Sequence, residues 1–145
     1  MTSANEALSE AASPRRRVVG GRLDKIVATT AEAVAGLKDG ASLMIGGFGE
    51  VGVPFALVDA VLEAGVRDLE VISNNAGSGD TGVAALLKRG RVRKIVCSFP
   101  KTAGSTVFEE LYRAGRIELE LVPQGTLAER IRAGGAGIGA FFTPT

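Results

Sequence analysis

The chain has 145 residues, a single-domain length, and 46% of them are hydrophobic, which is enough for a buried core. Seventeen Lys and Arg against sixteen Asp and Glu leave a net charge of +1, which argues against binding nucleic acid through its phosphates. The sequence contains no His and one Cys, which excludes Ser-His-Asp and Cys-His catalysis, His-ligated zinc and an internal disulfide.

Residues 1–21 are small and polar, with a basic triplet at 15–17 that no apolar run follows, as it would in a secretory signal. This composition predicts a disordered leader in front of a domain that spans residues 22–145. A transit peptide is the alternative, which Glu6 and Glu10 disfavour. No segment has the apolar length that crosses a bilayer, and the lone Cys suits a reducing compartment, so we expect a cytoplasmic protein.

The first predicted helix is marked by Thr29, which lies three residues before Glu32 in a capping-box spacing. We expect this helix to reach about residue 37. The apolar run of residues 42–45 then predicts the first strand. Pro54 suits the first turn of a second helix, which Gly65 ends. That helix carries an apolar stripe formed by Phe55, Val58, Val61 and Leu62.

The same alternation continues with a second strand at residues 69–73. Asp80 is a candidate cap for a third helix, which contains Val83, Leu86 and Leu87 and ends at Gly90. Residues 92–98 predict a third strand.

Thr106 opens a fourth predicted helix, whose apolar face is assigned to the core and comprises Phe108, Leu111 and Tyr112. Residues 117–122 predict a fourth strand. Thr126 and Glu129 form another capping box, so a fifth helix is expected to run from there into the glycine pair at 134–135. Residues 138–142 predict a fifth strand.

Strands and helices that alternate with short connections indicate right-handed βαβ units on a mostly parallel sheet, an α/β fold. Ligands bind such sheets at the carboxyl ends of the strands. The loops at those ends are also polar and rich in glycine: 46–52, 74–79, 98–104 and 123–126. With 20 glycines in the chain, about twice the ordinary share, the sequence predicts a site at this edge built largely from loops and backbone groups.

Residues 47–52 match the dinucleotide fingerprint G-x-G-x-x-G, and they follow a predicted strand and precede a predicted helix. A dinucleotide site also needs an acidic residue at the end of the next strand. Ser73, Asn74 and Asn75 stand there instead. A dinucleotide-binding protein is therefore the least favoured hypothesis.

A longer string, residues 39–54, resembles the signature of the A-type (alpha) subunits of family I coenzyme A transferases: an acid-Gly pair, an apolar triplet, G-G-F, three free residues and G-x-P. Residues 73–77 and 123–137 match further blocks of that family in the same order. The blocks at 92–100 and 108–115 are most similar to its 3-oxoadipate branch. Because family subunits continue beyond the position of Thr145, the resemblance implies a C-terminal part that is missing, in a fragment or a truncated relative.

The resemblance implies an A-type subunit that moves CoA from succinyl-CoA to 3-oxoadipate in the catabolism of aromatic compounds. A glutamate of the second, B-type subunit, which we call the B-type partner, would carry the glutamyl-CoA thioester, in a heterodimer or heterotetramer. CoA and its esters would be substrates, with no permanent cofactor, no metal, no nucleic acid and no membrane. Two alternatives stay open: the A-type subunit of a succinyl-CoA:3-oxoacid (acetoacetate) transferase, and a non-catalytic module that binds CoA esters.

By the same resemblance, the loop of residues 46–52 lines the CoA thioester, which makes CoA-binding candidates of Gly46, Gly47, Phe48, Gly49, Glu50, Val51 and Gly52. The amides of residues 47–49 are candidate oxyanion donors. Asn74 and Gln124 are expected to contact the carboxylic acid substrate. Glu50 occupies a free position of the motif, so no catalytic role is assigned to it.

Three further residues have simpler interpretations. Cys97 lies inside an apolar strand and is expected to be a small buried hydrophobe. Arg130 and Arg132 either face the phosphates of CoA or lie on a solvated helix face, and the sequence does not decide between the two.

Overall fold

The computed structural model describes residues 26–101 and 105–144, together with two short strands near the amino terminus. β1 (Val18–Val19) pairs antiparallel with β2 (Arg22–Leu23). The predicted leader otherwise lies outside the described residues, and its expected boundary at residue 21 falls between these two strands.

Four parallel strands form the main sheet, in the order β3, β4, β5, β6. They are β3 (Ser42–Ile45), β4 (Leu69–Ser73), β5 (Val92–Cys97) and β6 (Glu118–Leu121). The helices are α1 (Thr30–Val34), α2 (Phe55–Ala64), α3 (Gly82–Lys88), α4 (Val107–Arg113) and α5 (Gln124–Ala136). The mostly parallel α/β fold with alternating helices is confirmed.

One face of the sheet is covered by α1 to α4. Because the strand order follows the chain order, right-handed crossovers in one direction place all the connecting helices on the same side. The main core lies between these helices and the sheet. It includes Val58, Val61, Leu86, Leu87 and Phe108 from the helices and Leu69, Val71, Ile95 and Cys97 from the strands. Tyr112, predicted to lie in the core, is instead 52% exposed and stacks its ring on Phe108 at 5.6 Å between centroids.

The opposite face of the sheet carries α5 and a row of charges. Leu127 of α5 packs against Val96 and Val122. Beside this small apolar cluster, Lys94 lies between Glu70 at 3.3 Å and Glu120 at 2.8 Å, and Arg130 reaches Glu120 at 2.6 Å. The Lys94 ammonium and then the Arg130 guanidinium hold the pKa of Glu120 below its ordinary value.

The cap predicted for α1 is confirmed. The Thr29 hydroxyl accepts from the Glu32 amide at 3.1 Å, and the Glu32 carboxylate accepts from the Ala28 amide at 3.0 Å. The return bond therefore reaches one residue further back than in a standard capping box. The helix ends at Val34, before the predicted residue 37.

The predicted caps of two other helices are wrong. Thr81, not Asp80, is the N-cap of α3, because Thr81 has extended backbone (φ −117°, ψ 170°) directly before the first helical residue. The Asp80 carboxylate pairs with Lys88 at the end of the same helix. α5 begins at Gln124 directly after Pro123, so Thr126 lies inside the helix, where its hydroxyl meets that of Thr143 at 3.2 Å.

The predicted fifth strand at residues 138–142 is also wrong, because no strand is formed there in the described part of the chain. The glycine pair at 134–135 continues α5 to Ala136, and Gly137 caps the helix with a left-handed φ of 70°. The Ile138 amide then donates to the Ala133 carbonyl at 2.9 Å. That bond closes the helix end and turns the following residues away from strand pairing.

No helix within residues 26–101 and 105–144 combines the length and the apolar character that crossing a bilayer requires.

Candidate functional site

A cavity of about 480 Å³ lies at the carboxyl edge of the parallel sheet. Residues that follow β3, β4, β5 and β6 line it: Phe48, Gly49, Asn74, Asn75, Ser98, Phe99 and Gln124. Its volume is within the range of sites that hold small molecules. The edge predicted from the strand pattern is therefore where the structure places the cavity.

Three polar side chains from neighbouring strand ends meet in this cavity, and we call Asn74, Ser98 and Gln124 the amide cluster. The Asn74 amide donates to Gln124 Oε1 at 2.9 Å and to Ser98 Oγ at 3.4 Å. The Ser98 hydroxyl is within hydrogen-bond reach of Gln124 Oε1 and of the Asn74 carbonyl. Because parallel strands end side by side, the register of the sheet brings together residues that are up to 50 positions apart.

Asn75 connects the amide cluster to the glycine loop, a role that the sequence pattern did not indicate. Its buried amide donates to Asn74 Oδ1 at 3.1 Å and to the Gly49 carbonyl at 3.3 Å. Its Oδ1 accepts from the Gly77 amide at 2.7 Å, which is an Asx turn. The feature of the sequence that could have predicted this turn is an Asn two residues before a glycine at the end of a strand.

The glycine loop folds into a tight two-residue hairpin, which we call the glycine hairpin (residues 48–51). Phe48 and Val51 exchange two backbone hydrogen bonds, of 2.9 and 3.1 Å. Gly49, at the first central position, has a φ of +59°, as in a type II′ turn. Gly47 and Gly52, on either side, have φ of +130° and +79°.

This geometry corrects the prediction for the oxyanion donors. The Phe48 amide is not available, because it donates to the Val51 carbonyl. The amides of Gly47 and Gly49 donate to no other atom in the described part of the chain, and Gly49 lines the cavity. The hairpin also folds back on itself before α2, which begins after Pro54, so the loop does not lead directly into a helix N-terminus as the dinucleotide hypothesis requires.

Glu50 is turned from the cavity toward the loop between β4 and α3. Its Oε1 accepts from the Ser78 amide at 3.1 Å and the Ser78 hydroxyl at 2.7 Å, and its Oε2 accepts from the Thr81 hydroxyl at 3.5 Å. Of the seven loop residues predicted to bind CoA, Phe48 and Gly49 line the cavity. The other five do not: Gly46, Gly47, Glu50, Val51 and Gly52. Their roles in binding stay predictions, as do those of Asn74 and Gln124, which the structure brings together.

The cavity lining contains no Asp, Glu, Lys or Arg among the described residues. Neutral amides can hold a carboxylate or a thioester carbonyl, but they cannot attack one. Cys97 lies directly before Ser98, and its burial confirms the prediction of a small buried hydrophobe. Burial also raises the pKa of its thiol to about 11, so it is no ready nucleophile at neutral pH.

The charged residues of α5 are engaged on the protein surface. Arg130 pairs with Glu120, and Arg132 pairs with Glu129 at 2.6 Å. Within residues 26–101 and 105–144, no three His, Cys, Asp or Glu side chains group as a metal site would require.

Comparisons with known proteins agree on one family. The family model described as coenzyme A transferase matches residues 27–145. The A-type subunit of the 3-oxoadipate CoA-transferase of Pseudomonas putida is 59% identical over 123 residues, which are 85% of this chain and 53% of that relative. A mitochondrial succinyl-CoA:3-ketoacid coenzyme A transferase 2A of Rattus norvegicus is 54% identical over 114 residues, 79% of this chain and 22% of the rat protein.

Solved structures point the same way. The crystal structure of glutaconate coenzyme A-transferase from Acidaminococcus fermentans superposes with a TM-score of 0.67 and 26% identity, over 77% of this chain and 36% of that one. The chain spans about half the length of the Pseudomonas putida relative.

Proposed function

The chain belongs to the coenzyme A transferase family, and on that premise we propose that it is the A-type subunit of an enzyme that moves CoA from succinyl-CoA to 3-oxoadipate. The identity of 59% to a protein of that name supports the choice of substrates. The observation that carries the proposal is the uncharged amide cluster, which lies beside the glycine hairpin in a cavity of suitable size.

Gln124 is the residue best placed to hold the carboxylate of the acid substrate. Its Oε1 accepts from Asn74, while its own amide nitrogen donates to no described atom and is free to donate to a ligand. The Asn74 amide nitrogen donates one hydrogen to Gln124 and the other to Ser98. We therefore assign substrate contact to Gln124 and the orientation of Gln124 to Asn74.

The glycine hairpin would serve the reacting carbonyl. The Gly49 amide is unpaired among the described residues and can donate to an oxyanion that forms in the cavity. The rings of Phe48 and Phe99 form apolar walls of the same cavity.

The transfer itself requires a nucleophile that the cavity lacks, and we propose that a glutamate of the B-type partner supplies it. That carboxylate attacks the carbonyl carbon of succinyl-CoA and the C–S bond breaks. The products are a mixed anhydride of the glutamate with succinate and the free CoA thiolate. The thiolate attacks the glutamyl carbonyl and releases succinate. The carboxylate of 3-oxoadipate then repeats both steps in reverse order, which yields 3-oxoadipyl-CoA and restores the glutamate with no net transfer of electrons.

The remaining parts of the proposal concern context. A heterodimer or heterotetramer would supply the missing nucleophile, since Glu50, the one carboxylate of the glycine loop, is already hydrogen-bonded to Ser78. We assign the enzyme to the cytoplasm and to the catabolism of aromatic compounds, where 3-oxoadipate is formed.

The A-type subunit of a succinyl-CoA:3-oxoacid transferase is the second candidate. It is favoured by the 54% identity to the rat protein. Its acid substrate, acetoacetate, lacks the second carboxylate of 3-oxoadipate.

The test is to mix the purified chain with the B-type partner from a 3-oxoadipate CoA-transferase and to follow CoA esters by chromatography, with each acid in turn. We expect turnover only when both proteins are present, and faster turnover with 3-oxoadipate. Turnover by the chain alone would contradict the assignment to a two-subunit enzyme. Binding of succinyl-CoA without turnover in the mixture would favour the non-catalytic module, and binding of NAD without CoA esters would overturn the proposal.

A further inference from the structure

We propose that Glu50 is a positioning residue that holds the glycine hairpin against the loop between β4 and α3. The inference rests on the function proposed above, since the hairpin is assigned there to the reacting carbonyl. Glu50 occupies a position at which the family motif allows any residue. Its role is therefore inferred from its contacts in this structure and not from the motif.

The hairpin has few other connections that would fix its position. Gly47 and Gly52 lie at its two ends, and both have positive φ, so each end is a segment of backbone with wide conformational freedom. The two hydrogen bonds between Phe48 and Val51 shape the hairpin but do not attach it to the sheet. Neither side chain is buried, since 78% of Phe48, which lines the cavity, and 80% of Val51 are exposed.

Among the described residues, two members of the hairpin, Gly49 and Glu50, form hydrogen bonds to the rest of the molecule. The Gly49 carbonyl accepts one hydrogen bond from Asn75, at 3.3 Å. Glu50 adds three: from the Ser78 hydroxyl at 2.7 Å, the Ser78 amide at 3.1 Å and the Thr81 hydroxyl at 3.5 Å. Hydrogen bonds to a charged carboxylate are stronger than those between neutral groups, so Glu50 is the main attachment.

The same contacts direct a negative charge away from the cavity. The glycine loop would otherwise carry a free carboxylate at a site that must accept an anionic acid and the glutamate of the B-type partner. Because Ser78 and Thr81 satisfy the Glu50 oxygens, the cavity lining keeps its neutral character.

The first experiment needs no activity. Backbone NMR of the isolated 145-residue chain compares wild type with Glu50→Ala, Glu50→Gln and, as a matched control, Glu63→Ala on the exposed side of α2. We expect Glu50→Ala to shift the Ser78 amide resonance upfield and to lower the order parameters of Gly49 and Val51. Glu50→Gln keeps an oxygen acceptor for Ser78 and should preserve most of both signals. Unchanged Ser78 and Gly49 signals in Glu50→Ala would overturn the proposal.

The second experiment uses the complex with the B-type partner. Since a displaced Gly49 amide weakens only the transition state, we expect Glu50→Ala to lower kcat about tenfold while the KM for succinyl-CoA changes less than about twofold. Glu50→Gln, which keeps an oxygen acceptor for Ser78, should keep kcat within about twofold of wild type. Adding Ser78→Ala to Glu50→Ala should cause no further loss, because the two residues act through each other.

The two experiments separate the possible failures. A loosened hairpin with an unchanged kcat would limit Glu50 to a structural role and overturn the positioning role. An absence of turnover in the wild-type complex would count against the proposed function, and the NMR comparison would still decide whether Glu50 holds the hairpin.

Discussion

The amide cluster and the glycine hairpin lie at the same edge of the sheet, yet they are built in different ways. Asn74, Ser98 and Gln124 offer side chains from three strand ends, and the parallel register fixes their distances. The hairpin offers backbone groups and owes its shape to a local turn between two glycines. The half of the site that uses side chains therefore depends on long-range packing, and the other half depends on φ angles and on Glu50.

The difference teaches how a site without charged groups in its lining can still be well ordered. The cluster needs no carboxylate because each member satisfies another. The hairpin uses a carboxylate, but that group points to Ser78 and away from the cavity. Both arrangements leave neutral donors for a ligand, and in the proposed function the nucleophile comes from the B-type partner.

The largest expected effect is a loss of stability when a glycine beside the amide cluster, or one beside the glycine hairpin, is replaced by alanine. Gly77, beside Asn75, has a φ of +75°, and a Cβ there would lie 2.4 Å from the backbone nitrogen of Ala84. Since α3 must move, we expect Gly77→Ala to lower the free energy of unfolding by about 3 kcal/mol. A Cβ on Gly47 would meet the tip of the Val53 side chain at 2.6 Å, so Gly47→Ala should cost about 2 kcal/mol.

Urea denaturation of both variants checks this order. Gly79→Ala is the matched control, because Gly79 also has a positive φ, of +59°, but has open space around it, so only backbone strain of about 1 kcal/mol is expected. Equal losses for Gly77→Ala and Gly79→Ala would contradict the packing argument.

A smaller effect is expected inside the amide cluster. In the complex with the B-type partner, Asn74→Ala and Gln124→Ala should each lower kcat/KM about tenfold, since one orients the other, and the double variant should lose much less than about a hundredfold. Ser42→Ala, which removes a hydroxyl at the amino end of β3, is the control. Losses that multiply in the double variant would show that the two residues act independently.

The smallest effect is expected on the opposite face of the sheet. The pKa of Glu120 is held below its ordinary value of 4.5 by Lys94 and then Arg130, so its contribution to stability is present above that value and is lost as the pH falls through the folded-state pKa. At pH 7, Glu120→Gln should lower Tm by about 1 °C, as is typical of half-exposed pairs.

Melting curves between pH 7 and pH 3 test the sign of this effect. The difference between wild type and Glu120→Gln should shrink as the pH falls below 4.5. A difference that grows toward acid pH would contradict the assignment.

The sequence was informative where one physical rule dominated. Alternating apolar runs predicted β3 to β6, and the rule that ligands bind at the carboxyl ends of parallel strands predicted the edge that carries the cavity. Asn74 and Gln124 were chosen from the family resemblance, and their hydrogen bond is seen only in the structure. The predicted strand at 138–142 failed because pairing competes with the closing of the helix end by Ile138, a contest that apolar composition does not reveal.

The glycine loop shows the other limit. Its motif indicated a ligand-binding turn, but it did not indicate that the Phe48 amide would be consumed by Val51. The partners of Glu50 lie 28 and 31 residues further along the chain, in a loop whose approach depends on how β3 and β4 pair. Contacts of that kind follow from the assembled fold and leave no periodic pattern in the sequence.

The central claim is that this chain supplies the neutral half of the site and that the B-type partner supplies the nucleophile. The most direct measurement is to incubate the two proteins with succinyl-CoA in the absence of an acceptor acid, and then to locate the covalently bound CoA by mass spectrometry of the digested proteins. We predict that CoA is found as a thioester on a glutamate of the B-type partner and on no residue of this chain. CoA attached to Glu50, or to any other carboxylate of this chain, would contradict the account.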